Sequence, residues 1–263
     1  MKVAVEDFPP AAVVAGRTLI GASILIPIAI YRKKFGGAVL GFKYVAFYAL
    51  MEMIGPWILI TTAEQKINSG LAGLLVSTVP IFATIITSLR GDHSVWEFKR
   101  IFGIVVGFIG LILVVGIESL SGNSDPLSIA MVIVASMGYA YAVIMVTSNL
   151  PLVDGIAING LAMAITSVFW APVAIAQWPS SISMNSALSL LALGVFSTAF
   201  AFILFFKVMA EIGPARSSLV TYLNTAIAVL LGVIILREPL TIGIIVGLPL
   251  VLVGSYLASR KTA

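Results

Sequence analysis

The sequence has no cysteine, a single histidine and few charges: only 10% of its 263 residues are Asp, Glu, Lys or Arg. Without thiols there is no disulfide framework and no thiolate metal site, while the compartment stays open. The one histidine, His93, falls in a polar break, which removes His-based zinc sites and Ser-His triads from consideration. Neither an HExxH pattern nor a Walker A pattern occurs, so no metalloprotease motif and no ATPase motor are encoded. The start, "MKVAVEDFPP", is too acidic and too poor in apolar residues for a cleavable signal.

What is there is hydrocarbon. Hydrophobic residues make up 60% of the chain, and long apolar runs recur from end to end. About 20 such residues cross the bilayer core as a helix. The runs predict an all-α polytopic membrane bundle with nine spans: Pro10–Tyr31, Lys43–Thr62, Gly70–Leu89, Phe98–Ile117, Pro126–Ser148, Ile156–Gln177, Ala187–Val208, Ala215–Leu236 and Thr241–Ser259. They lack the alternation of barrel strands and are about twice as long, which excludes β spans. The breaks are short, so neighbours in sequence are expected to pack as antiparallel neighbours, with no separate soluble domain.

Lys and Arg stay in cytoplasmic loops. One set of alternate loops and the C-terminus carries Arg32, Lys33, Lys34, Lys43, Arg90, Lys99, Arg100, Lys207, Arg216, Arg260 and Lys261. The other set carries Lys2, Lys66 and Arg237, and Arg17 lies inside a span. This bias predicts a multi-pass protein of the plasma membrane with a cytoplasmic C-terminus. The net charge of +4 reflects the same asymmetry, so no nucleic-acid partner is expected.

The two halves share features at a spacing of 147 residues, from Asp7 to Asp154, from Ala63-Glu64 to Ala210-Glu211, and from Arg90 to Arg237. Beyond that loop the register slips by three, and Gly103 and Gly110 match Gly247 and Gly254. The expected organisation is a first repeat over residues 1–120 with four helices and a second over 121–263 with five. The counterpart of Pro126–Ser148 would stand just upstream of Met1, and a shortened start is favoured over a natural nine-helix chain. A five-helix unit crosses an odd number of times, so tandem copies are inverted, as in transporters that work by alternating access.

Three stretches carry a specific likeness: "PPAAVVAGRTLIGASILIP", "GLAGLLVSTVPIFATII" with Pro80, and "SSLVTYLNTAIAVLLGVIILREPLTIGIIVG" with Glu238. They resemble the EamA family of the drug/metabolite transporter superfamily, over nearly the whole chain. The resemblance implies a ten-helix fold of two five-helix repeats and efflux of amino acids or related metabolites. Thr225 departs from it where the family has proline, as does "RGDH" at Arg90 to His93 in place of leucine-glycine-glutamate. Loss of the first helix would remove one wall of the central cavity, leaving a transport-inactive membrane protein as the alternative reading.

Within "FYALMEMIGPWILI", Glu52 lies near the middle of a span and Pro56 follows four residues later. A mid-span acid costs about 2.5–3.5 kcal/mol on the insertion scale and faces protein or water rather than lipid. Proline has no N–H, so the i−4 rule leaves the Glu52 carbonyl without its helical donor. Glu52 is therefore expected to line a cavity and to bind a proton, a cation or a substrate amine. The structural alternative is an ion pair with Arg17. Asn224, an amide in hydrocarbon, needs partners. Tyr139, Tyr222 and Trp57 are candidate cavity walls, with ordinary packing as the alternative for each. Trp170, Trp178 and Trp96 sit near span ends and read as interface belt. Pro80 and Glu238 read as structural. Gly103-x-x-x-Gly107 and Gly243-x-x-x-Gly247 let helices approach, within one chain or between two as a homodimer.

The sequence thus predicts a secondary transporter of a small-molecule solute in the lipid bilayer, with no cofactor and no metal. An intramembrane enzyme is disfavoured, because a lone glutamate supplies no catalytic set.

Overall fold

A computed structural model describes residues 3–91, 98–120, 125–212, 227, 231–235, 237 and 242–259. Helix α1, Pro10–Tyr31, begins where Pro9 is extended (ψ 151°) and Pro10 takes the first turn, where a missing N–H costs nothing. It ends at Lys33, whose φ of 54° is left-handed. The Lys33 and Lys34 N–H groups then reach back to the Ile30 and Ala29 carbonyls, at 2.8 and 2.9 Å. This is a Schellman closure with lysine in the usual glycine position.

A short helix α2, Phe35–Leu40, occupies a break that hydropathy alone leaves without structure. The second span is built from α3 (Phe42–Ala49), a π turn (Leu50–Ile54) and α4 (Gly55–Ala63). The third consists of α5 (Ser69–Val76) and α6 (Val79–Leu89), interrupted at Ser77 and Thr78. Then come α7 (Phe98–Leu120), α8 (Pro126–Asn149) and α9 (Gly155–Ala176). A second π turn, Val195–Phe200, joins α10 (Met184–Gly194) to α11 (Ala201–Ile212), and α12 is Ile242–Ser259.

Every expected span except Ala215–Leu236 coincides with these helices to within a few residues; that one lies almost wholly outside the described residues. Six of the helical stretches are long and apolar enough to cross a membrane, and shorter apolar helices cover Ile101–Leu113 and Ile242–Leu257. No strand occurs among the described residues. Large apolar side chains such as Leu19, Val168 and Phe196 stand exposed on the helices, as a lipid-facing surface requires.

The chain groups into two compact units, Met1–Gln65 with Met145–Ser218 and Lys66–Ile144 with Leu219–Ala263. In the first, α1 packs along α9 through small residues. A Cβ at Gly160 would come within 3.3 Å of the Ile26 backbone nitrogen, so glycine here makes room for a tight approach. The α9 start is fixed by Asp154, whose carboxylate accepts from the Ile156 and Ala157 N–H groups and pairs with Arg32 at 3.7 Å.

In the second unit α7 and α12 cross at glycines. A Cβ at Gly254 would land on the Gly107 backbone and 2.7 Å from the Gly103 carbonyl. The expected close approach at Gly103 and Gly107 is therefore made within the chain, against Gly254.

Candidate functional site

The polar groups at membrane depth gather where helices are irregular. In the second span, the Gly55 N–H bonds to the Leu50 carbonyl, five residues back, so an extra residue is accommodated just before Pro56. Gly55 suits this turn, since a Cβ there would sit 3.3 Å from the Leu50 carbonyl oxygen. Glu52 is at the centre of the turn. Its Oε2 is enclosed and has no hydrogen-bond partner. Such an atom is uncommon in native proteins and calls for a specific explanation.

The carbonyl reached by an outside donor is that of Ile54, which accepts the Trp170 indole N–H from α9 at 3.1 Å. Trp170 thus departs from its reading as an interface-belt residue: it is part-buried and bonded to another helix. Trp178 remains exposed, in edge-to-face contact with Phe8 at 5.6 Å. Trp96 lies outside the described residues.

Arg17 is buried in α1. Its Nε and Nη2 donate to the Thr198 hydroxyl at 3.2 and 3.0 Å, and its guanidinium carbon stands 3.9 Å from the Trp57 ring centroid. Thr198 belongs to the second π turn and donates to the Leu193 carbonyl, five residues back, at 2.8 Å. Shifting the first π turn by the 147-residue spacing carries it to positions 197–201, over the second. Nearby in the same unit, the buried Tyr48 hydroxyl donates to Asn159 Oδ1 at 3.1 Å, and Asn159 Nδ2 donates to the Gly155 carbonyl.

The second unit has its own irregular span. Pro80 follows the interruption at Ser77 and Thr78, where α5 ends and α6 begins. Two carbonyls of this break receive hydroxyls from other helices. Ser136 on α8 donates to Leu75 at 3.2 Å, and Ser255 on α12 donates to Ser77 at 2.8 Å. Non-helical backbone at membrane depth persists only with such partners. Tyr139 is part-buried on α8, and Arg90 lies over the Tyr141 ring at 5.3 Å.

Of the residues singled out by sequence, the structure thus joins Arg17 and Trp57 through the guanidinium and places Glu52 in a π turn, with Pro56 in the first turn of the α-helix that follows it. Asn224, Tyr222 and Glu238 lie outside the described residues. Thr198, Trp170, Tyr48 and Asn159 escaped that selection as site residues. Only Thr198 carried a signal, a mid-span hydroxyl among several.

Outside the spans, Asp7 accepts from the Ser183 N–H at 2.9 Å and from the Ser183 hydroxyl, and these bonds hold its carboxyl below the ordinary range. Asp125 is lowered likewise, chiefly by Ser128 and further by Lys66 at 3.6 Å. No cluster of three or more metal-ligating side chains occurs among the described residues.

Long apolar helices, breaks satisfied across helices and a mid-span acid with an enclosed oxygen define a multi-pass membrane protein with polar features at depth. Residues 1–116 and 126–260 match the EamA-like transporter family, and the chain belongs to it. It is 27% identical to the uncharacterized transporter YoaV of Bacillus subtilis, over 98% of this chain and 89% of that one. It is 25% identical to the uncharacterized inner membrane transporter YedA of Escherichia coli K12, over 99% and 87%. A solved crystal structure superposes with a TM-score of 0.69 over 97% of this chain and 89% of that chain, at 15% identity, which shows the fold alone. The protein is a membrane transporter of the drug/metabolite type.

Proposed function

We propose that this chain is a secondary exporter of a small metabolite, amino acid or drug-like solute, working by alternating access in the plasma membrane. Glu52 is the group that takes up and releases the coupling proton or cation. The supporting observation is the enclosed Oε2 of Glu52, without a hydrogen-bond partner, inside a π turn midway along a span. A bound proton removes the charge that such an enclosure disfavours, a bound cation coordinates the oxygen, and release reverses either state.

Nine spans in two inverted repeats, with the C-terminus in the cytoplasm, supply the two-sided framework this cycle needs. The matched positions of the two π turns favour such an arrangement. Trp57, Tyr139, Tyr222 and Asn224 are the proposed solute contacts, and pairing of two chains as a homodimer is compatible with the scheme.

The test is flux in proteoliposomes holding the full chain, loaded with a defined mixture of amino acids under an imposed pH gradient. Gradient-dependent loss of one or more solutes is expected from the native protein, and Glu52→Gln removes the gradient dependence. Equal pH dependence in both proteins contradicts the assignment of Glu52.

A further inference from the structure

We infer that Trp170 is a positioning residue for Glu52, acting through the first π turn; this rests on the reading of Glu52 as the coupling group. The indole N–H of Trp170 is bonded to Ile54, the last residue of the turn and two residues beyond Glu52. Ile54 is itself buried, and Trp170 is braced edge-to-face by Phe169 at 5.3 Å.

A π turn holds one residue more than an α-helical path over the same length. Conversion to α register would rotate the helix on one side of the turn by about 100°, the angle of one residue. Glu52 sits inside the converting segment, so its direction depends on which register holds. The Ile54 carbonyl is part of that segment's backbone, and a donor fixed on a different helix ties it to one geometry. Gly55 favours the same register from the other side, because its missing Cβ leaves room beside the Leu50 carbonyl. Trp170 therefore selects the register in which the Glu52 Oε2 is enclosed.

The experiment uses the full chain in lipid vesicles and dicyclohexylcarbodiimide, which modifies protonated carboxyls from within the membrane. The rate of modification at Glu52 is read by mass spectrometry across a pH series. W170F keeps an aromatic ring and loses the N–H. The carboxyl is then released from its enclosed position, and labelling rises about three- to tenfold, the ratio to which an ordinary hydrogen bond converts. G55A attacks the same turn from the opposite side and moves the rate in the same direction, which keeps the test decisive if W170F does not fold. G254A, which strains the α7–α12 crossing in the other unit, leaves the rate at Glu52 unchanged although it lowers stability. A native rate in both W170F and G55A overturns the inference. Because labelling is read without transport, loss of the coupling role in Glu52→Gln flux measurements is a separate failure.

Discussion

Two nitrogens of Arg17 donate to a single hydroxyl, that of Thr198, at 3.2 and 3.0 Å. The residues are 181 positions apart, and the Thr198 hydroxyl in turn donates a hydrogen bond to the Leu193 carbonyl. A buried cation is thus bonded to the second π turn and covered by the Trp57 ring. Thr198→Val keeps the shape and removes the oxygen. It is expected to destabilise the fold by about 1–3 kcal/mol, the cost of leaving a buried donor without its acceptor. Thr198→Ser retains most of the stability. Thermal unfolding in detergent separates the two, and equal losses from both substitutions contradict the assignment.

The α7–α12 crossing has no space for a side chain at Gly254. Since the obstacle is backbone on both sides of the contact, rotamer adjustment cannot relieve it. Gly254→Ala is expected to cost about 1–3 kcal/mol, as overpacking does elsewhere. Gly36, with nothing within 4 Å of its would-be Cβ, provides the comparison substitution. A native unfolding midpoint for Gly254→Ala contradicts the close crossing.

Ser136 and Ser255 serve different carbonyls at the break beside Pro80, Leu75 and Ser77 respectively. Each Ser→Ala change is expected to cost about 0.6 kcal/mol, the mean for such bonds between membrane helices. The double change should be close to the sum, since no acceptor is shared. A strongly greater loss in the double variant contradicts two independent supports.

Asp7 gives the stability a pH dependence. Its folded-state carboxyl lies below the ordinary value of 3.8, chiefly through the Ser183 hydroxyl and then the Ser183 N–H. A depressed carboxyl stabilises the fold above its unfolded value, and that contribution disappears as pH falls through the lower folded one. The native protein should therefore exceed Asp7→Asn in thermal stability near neutral pH, with the gap closing below about pH 4. A gap independent of pH is the contrary result.

Much of the helical pattern was legible because it is local. Pro10 starts α1, Asp154 caps α9, and polar breaks bound the apolar runs. Glu52 with Pro56 marked an irregular span, since an acid and a helix breaker together disturb local pairing. The π register itself was not readable, because adding one residue to a turn leaves hydropathy unchanged. Trp170 was misread for a related reason: position near a span end says nothing about which backbone lies across from the ring. The bonds from Arg17 to Thr198 and from Tyr48 to Asn159 depend on which helices become neighbours, and no spacing in the chain encodes that.

Glu52 is the point at which the account is most exposed. The chain has no native cysteine, so Glu52→Cys carries a single thiol. The direct measurement is its reaction, in lipid vesicles, with a charged, membrane-impermeant methanethiosulfonate. Modification from the aqueous phase is predicted, because a coupling group must exchange with solution at some stage of the cycle. Reaction with a lipid-soluble maleimide alone, and none with the charged reagent, would place position 52 against acyl chains and contradict the account.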